Sequence, residues 1–381
     1  MHQDSLHSSA SDVDYPHSFI MSDGSHTLFA RGVAVSYKSV EAADAMLRAG
    51  NTELVVGALP FHSRETPALF SPRTHWHAHG APDNFWEGSD SFPSVTGTDS
   101  LPDISTHAAR VQHSVDRINQ GRLRKVVLSR QERFELESAP HPEHLLDRFA
   151  QGSATGHCHL VELTAAGINY DGHYFIGSSP ELLIFKRGAY IRSHPLAGMT
   201  KRASDPVVDQ ARATELTLSA KDIHEHKFVT SEIKWVLEPL CTSLNVPETP
   251  ALTSTSHTWH LGTVIEGTLK DPNITALELA RLLHPTPAVS GMPQREAQEL
   301  LWEEEPDRGF YAGAVGWADS AGNGEWRVAI RSAELHEDTV VAHAGGGIVA
   351  DSDPAAEVEE TQMKLGPVRA AVGLSRVPVQ G

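Results

Sequence analysis

Cysteine is almost missing from this chain. Cys158 and Cys241 are the only two in 381 residues. That excludes a disulfide framework, falls short of a four-cysteine zinc site, and fits a reducing cytosol. Long apolar runs are missing too. None approaches the roughly 18–20 residues that a membrane-spanning helix needs. The N-terminal stretch MHQDSLHSSASDVD has no basic segment followed by an apolar one, so it does not read as a signal peptide. Residues 1–15 read as a flexible tail and 16–381 as a single domain. Positive charge is in short supply: 31 basic against 49 acidic residues give a formal charge of −18. Nucleic acid and anionic membrane are therefore poor partners. An anionic substrate would need local cations to overcome the general field. No internal repeat is visible. What is present is ordinary globular composition, 40% hydrophobic and 21% charged, in a chain long enough for a large core.

The pattern sharpens after about residue 105. Residues 106–119 read as a helix. RKVVLSRQ is a short β-branched run, a strand covered on both faces. HLVEL, YFIGSS and the pair LLIFK/AYIRS follow as strands, the pair forming a hairpin with a two-residue turn ending in Gly188. Asp205-Pro206 opens a helix as N-cap and first-turn proline, and Ser219-x-x-Asp222 starts a second as a capping box. WHLGTVIEGTL, YAGAVGWAD, EWRVAIRSAEL and TVVAHAGGGIV read as further strands. A last helix begins at Asp353-Pro354 and reaches Gly366-Pro367. Strands rich in hairpins with interspersed helices, and no regular βαβ spacing, indicate an α+β fold.

Two stretches invite a metal reading. KDIHEHKFV puts His224, Glu225 and His226 side by side, but the zinc motif H-E-x-x-H needs a second histidine at position 228, which is Phe. His75, His77 and His79 alternate and would share one face of a strand. No acidic or cysteine partner lies near them in sequence. The carboxylates say more. Val229, Ile233, Val236, Leu237 and Leu240 form an apolar stripe at helical spacing, and its backward extension meets Asp222 and Glu225. Acids suit a first helical turn, yet these two continue a buried face, where a carboxylate is costly unless paired or bound to metal. In PAAEVEETQMKL, Glu357, Glu360 and Lys364 share a face while Glu359 points elsewhere. A solvated acidic face with one ion pair would explain that spacing. So would half of an oxygen-rich site suited to Mg²⁺ rather than zinc.

In the order KVVLSR, SSPELL, HPLAG with Arg202, KDIHEHKFV, WHLGTVIEG, LHPTPAVSGMP, FYAGAVGW, GEWRVAIRSAEL and GGGIVADSDPAAEVEETQMKL, the chain resembles the chorismate-utilising enzymes. The siderophore-type isochorismate synthases are the nearest type. The resemblance covers about residues 100–370. It implies two large packed antiparallel β-sheets with helices outside, the fold of anthranilate synthase component I, forming one catalytic domain over 16–381. It implies Mg²⁺ and the dianion chorismate, converted reversibly to isochorismate by water addition at C2 and loss of the C4 hydroxyl. It further implies a cytoplasmic isomerase serving siderophore or menaquinone biosynthesis, monomeric and without a glutaminase subunit.

Carried over by motif, Glu225 and Glu360 are the implied metal ligands, with Asp222 and Glu357 behind them or acting through water. Lys125 resembles the base for water, since a lysine deprived of solvent can carry a neutral amine. Pattern alone would make it a strand-end lysine reaching solvent. Glu181 resembles the acid that protonates the leaving hydroxyl, a role that needs burial to keep it protonated. His260 matches an active-site histidine that orients substrate or stabilises charge. Arg331 is the candidate clamp for the second carboxylate, because its planar fork matches one. Lys364 assists at the metal end. Gly198 and the run Gly345, Gly346 and Gly347 let backbone N–H groups approach substrate.

The aminating relatives use ammonia, and lysine at the water-activating position argues against them. Salicylate synthases share that lysine and also eliminate pyruvate, which makes them the runner-up. A zinc hydrolase built on the His-rich stretches is a distant third.

Overall fold

The computed structural model describes residues 17–374 apart from 82, 83, 89, 154, 256 and 257, so the N-terminal tail lies outside the described residues. The run KVVLSR opens a 12-residue strand, Lys125–Leu136, whose first six residues are all buried and whose second half alternates. Continuous burial means that both faces are covered; alternation means that one face is wet. Lys125 therefore begins the strand at a core position.

Every strand pairing among the described residues is antiparallel, and most strands join edge to edge in one run. It starts at Val95–Leu101 and crosses Lys125–Leu136, Thr339–Ile348, Ser332–His336, His173–Gly177 and His157–Glu162. It then takes in the N-terminal strands His17–Asp23, His26–Tyr37, Ala68–His79 and Leu54–Leu59. Ala314–Asp319, Gly324–Val328, Leu182–Arg187, Tyr190–His194, Ile265–Leu269 and Cys241–Asn245 complete it. The fold is α+β with large antiparallel sheets, and the layers are hydrogen-bonded into one continuous ribbon. The ribbon curls so that Phe19, Phe70, Phe175, Phe310 and Val315 meet in one apolar core. A separate three-stranded sheet, Leu196–Lys201, Thr258–Gly262 and Ala251–Ser254, packs against the helices Pro206–Leu218 and Ala220–Leu237. No helix among the described residues is long and apolar enough to cross a membrane.

The local signals act where the sequence places them. Asp205 caps the Pro206–Leu218 helix through the N–H groups of Val207 and Val208, and Ser219 Oγ accepts the N–H of Asp222 at the head of Ala220–Leu237. Asp353 caps Pro354–Ala371 in the same way. Val229, Ile233 and Leu237 are buried in the core, although Leu240 falls in a 3₁₀ turn beyond the helix end.

Four expectations need correction. The hairpin turn is Gly188-Ala189 rather than Arg187-Gly188, because Gly188 takes the positive φ of 58° that the tight turn demands. WHLGTVIEGTL divides into Thr258–Gly262 and Ile265–Leu269, which belong to different sheets. EWRVAIRSAEL divides into Gly324–Val328 and Ser332–His336, with Arg331 between them at φ 55°. The last helix runs through Pro367 to Ala371. Leu365, Val368 and Ala371 are fully packed in the core, and that burial outweighs the backbone hydrogen bond that proline removes.

Candidate active site

The two carboxylate-bearing helices converge on one cleft. The head of Ala220–Leu237 presents Asp222 and Glu225 to it, and Pro354–Ala371 presents Glu360 and Lys364. Its other walls carry Glu181, Gly198, His260, Tyr311, Arg331 and Gly345. Lys125 and Glu357 stand just behind the wall. Lys125 is fully buried, with its amine 2.9 Å from Glu225 Oε1. That contact lacks hydrogen-bond geometry, and the amine has no other acceptor. Glu357 Oε1 takes Lys221 Nζ at 3.0 Å and the Ser352 hydroxyl at 2.7 Å, while its Oε2 is buried with no partner. Lys364 Nζ lies 2.5 Å from Glu360 Oε1 and donates to the Gly345 carbonyl at 2.7 Å.

The acids repel one another. Burial, joined by the charges of Glu225 and Glu360, pushes the Asp222 carboxyl above its ordinary range. Burial and then Glu360 do the same to Glu357. Burial also presses Glu360 upward, but Lys364, together with Lys221 and Arg331, more than offsets it and the net shift is down. Each of Glu225, Glu357 and Glu360 has a lysine beside it. Among the described residues, no three His, Cys, Asp or Glu side chains already stand as a metal cage.

The glycine run makes room for this cluster. A Cβ at 347 would lie 2.3 Å from Glu225 Oε1 and 3.1 Å from Lys125 Cε. One at 346 would lie 2.8 Å from Glu357 Oε2. At 346 and 347 the missing Cβ also gives clearance to protein side chains, while Gly345 and Gly347 line the cleft. Register explains it: Gly346 and Gly347 pair with Leu128 and Val127, next to the head of the lysine strand.

Glu181 lies in the turn before Leu182–Arg187 and is 3% exposed. Pattern alone would have left it facing solvent. Burial pushes its carboxyl up to about 7, against the opposing pull of the Leu196 N–H and of Lys125, Arg331 and Lys364. His260 is buried and held near a pKa of about 3, first by desolvation and then by the charge of Arg331. Arg331 reaches the cleft because positive φ turns it out of the strand line, a conformation that costs a non-glycine residue roughly 1–3 kcal/mol and collects at functional sites. Its hydrogen bond is to Met199 Sδ at 3.5 Å, a weak acceptor that leaves the fork available to an anion.

The HEH stretch does not act as a unit. His224 is exposed, edge-on to Phe228, and His226 is buried with Nε2 2.7 Å from the Thr263 hydroxyl. Only Glu225 faces the cleft. A helix turns about 100° per residue, so three adjacent side chains cannot share a site. His75, His77 and His79 do share one face of Ala68–His79, exposed and beside His26. Sequence reasoning passed over Tyr311, although it sits in the FYAGAVGW string, and Lys221, which reads as a surface lysine.

Residues 84–373 match the family described as chorismate binding enzyme. The chain is 42% identical to the MenF protein of Mycobacterium tuberculosis over 354 residues, 92% of this chain and 94% of that one. It is 39% identical to isochorismate synthase DhbC of Bacillus subtilis over 325 residues, 85% and 82% of the two chains. The crystal structure of a DhbC protein from Bacillus anthracis superposes with a TM-score of 0.86 at 35% identity, covering 95% of this chain and 98% of that one. Anthranilate synthase component I of Streptococcus pneumoniae, at 18% identity and a TM-score of 0.72, shares the fold. With its motif strings gathered around one acid-lined cleft and these relatives spanning most of its length, the chain belongs to the chorismate-binding enzymes.

Proposed function

We propose that this protein is an isochorismate synthase, interconverting chorismate and isochorismate with Mg²⁺ and supplying siderophore or menaquinone biosynthesis. The observation that carries this reading is a single cleft that joins the buried Glu181 carboxyl, Arg331 and acids from two helices, with the buried Lys125 amine behind its wall beside Glu225. Sequence similarity to isochorismate synthases supports it.

The residues fit a hard divalent cation. The donors are all oxygen, the acids repel one another, and Glu357 Oε2 is buried without a partner. Glu225 and Glu360 would hold the ion, with Asp222 and Glu357 behind them or acting through water. Bound there, it would neutralise the ring carboxylate and draw electron density from C2. The chain's own groups divide the remaining work. Arg331 grips the enolpyruvyl carboxylate with its planar fork. Lys125, freed from Glu225, takes a proton from the attacking water. Glu181 gives a proton to the departing C4 hydroxyl, and a pKa of about 7 keeps a large share of it protonated at neutral pH. Arg331, Lys364 and Lys221 supply the local positive charge that the net −18 requires.

The test is product analysis after incubation with chorismate and Mg²⁺. The wild type is expected to give isochorismate alone, and nothing after EDTA. Lys125→Ala is expected to bind chorismate and make no product. Salicylate with pyruvate would move the protein to the salicylate synthases, and no turnover at all would overturn the proposal.

A further inference from the structure

Both ring nitrogens of His260 are already committed inside the protein. Nδ1 lies 3.2 Å from the Gly198 carbonyl, and Nε2 lies 2.8 Å from Thr258 Oγ1. A carbonyl can only accept, so Nδ1 carries the hydrogen. In a neutral imidazole the other nitrogen must then accept, so the Thr258 hydroxyl donates to Nε2. Thr258 Oγ1 is itself 2.8 Å from Thr255 Oγ1, which also accepts the Thr258 N–H at 3.1 Å. Thr255 Oγ1 also lies 3.4 Å from the Thr258 carbonyl, to which it can donate. From Thr258 onward the chain of donors has one direction: Thr258, His260, the Gly198 carbonyl.

The end of that chain matters. Gly198 is the irregular residue between the paired positions Ala197 and Met199, with φ 62°. It lines the cleft, and a Cβ there would lie 2.9 Å from Asp222 Cβ. Its carbonyl is pinned by the imidazole N–H. If the tautomer changed, a bare nitrogen would face that carbonyl, and if the ring flipped a C–H would; either way the bulge would lose its tie.

We propose that Thr258 is a positioning residue, fixing His260 as the Nδ1–H tautomer so that the ring anchors the Gly198 bulge against the substrate cleft. His260 on this account moves no proton to or from substrate; it holds backbone in place. The low pKa of His260, caused by burial and then Arg331, agrees with a ring that stays neutral.

This inference rests on the cleft being the active site, and its first test does not use activity. With ¹⁵N-labelled histidine, the His260 resonances are assigned by their loss in His260→Gln. The wild type is expected to show a protonated Nδ1 and a bare, hydrogen-bonded Nε2 between pH 6 and 8. In Thr258→Val the Nε2 signal should move toward that of an unbonded nitrogen or split between tautomers. Its kcat should fall about 2- to 12-fold, the range one hydrogen bond carries, with KM changing less. Thr258→Ser, which keeps the hydroxyl, should recover both the ¹⁵N signature and most of kcat. A wild-type proton on Nε2 overturns the proposal, and so does a Thr258→Val variant with the wild-type Nε2 signal. A kcat loss that serine does not recover counts against it equally. If Thr258→Val does not fold, the wild-type spectrum and the serine variant still decide. If the wild type makes no isochorismate, the functional reading fails while the tautomer result stands by itself.

Discussion

Replacing Glu181 with Gln should change stability in a manner that depends on pH, and the size of the effect follows from burial. In the folded protein the carboxyl is pushed up from 4.5 to about 7, chiefly by loss of solvent. A raised acid binds its proton more tightly folded than unfolded. The stabilisation this gives is present at low pH, where Glu181 is protonated, and disappears as pH rises through about 7. At 1.36 kcal/mol per tenfold change the full effect is about 3 kcal/mol, most of it falling between pH 5 and pH 8. Glutamine cannot titrate and imitates the protonated acid. Urea unfolding of both proteins at pH 5 and pH 8 measures the difference, in which other titrating groups cancel. Wild type and Glu181→Gln should be close in stability at pH 5, and the variant should gain on the wild type by roughly 2–3 kcal/mol at pH 8. A gap that stays constant to within about 0.5 kcal/mol across this range would refute the reasoning, because it would mean that the carboxyl is not desolvated. Turnover by the wild type should decline as pH rises through about 7, where the proposed proton donor is lost.

On the proposed Mg²⁺ site, Mg²⁺ should raise the Tm of the wild type, and Glu225→Gln and Glu360→Gln should each abolish that rise. An ion at 100 times its Kd stabilises by about 2.7 kcal/mol, so calorimetry with and without Mg²⁺ will show the loss; an unchanged rise would remove that residue from the ligand set. Gly347→Ala places a methyl 2.3 Å from Glu225 Oε1 and 3.1 Å from Lys125 Cε. It should cost about 1–3 kcal/mol in denaturant unfolding and depress activity, as overpacking does, whereas a variant equal to wild type on both counts would show that the carboxylate has room to move. Arg331→Gln removes the fork proposed to hold the second carboxylate. A charge-assisted bond of about 1.5–3 kcal/mol corresponds to a KM raised roughly 10- to 100-fold, and steady-state kinetics with unchanged KM would assign the carboxylate to another group.

Local chemistry was legible in the residues themselves. Asp205, Ser219 and Asp353 cap the helices they announce, since a cap involves only the next three residues. The spacing of Asp222 with Glu225, and of Glu357 with Glu360, put each pair on one helical face, and those faces turn inward. The stop at Pro367 was misjudged because the packing of Leu365, Val368 and Ala371 is not a local property. The breaks before Ser332 and inside WHLGTVIEGTL are not local either: strand-forming residues continue through both, and only the partner strands that each half takes separate them.

The amino-acid sequence by itself determined the element types, the helix starts, the paired acids and, through its ordered motif strings, the family. Tertiary structure decided what those groups can do. It brought Glu225 and Glu360, more than a hundred residues apart, to one cleft, and placed the amine of Lys125 beside the first of them. It buried Glu181, which pattern alone would leave in solvent, and so pushed its carboxyl up to about 7. It turned Arg331 toward the cleft and committed both nitrogens of His260. The reason is physical: propensity, capping and periodicity act over a few residues, whereas desolvation and charge coupling depend on whatever distant chain arrives alongside.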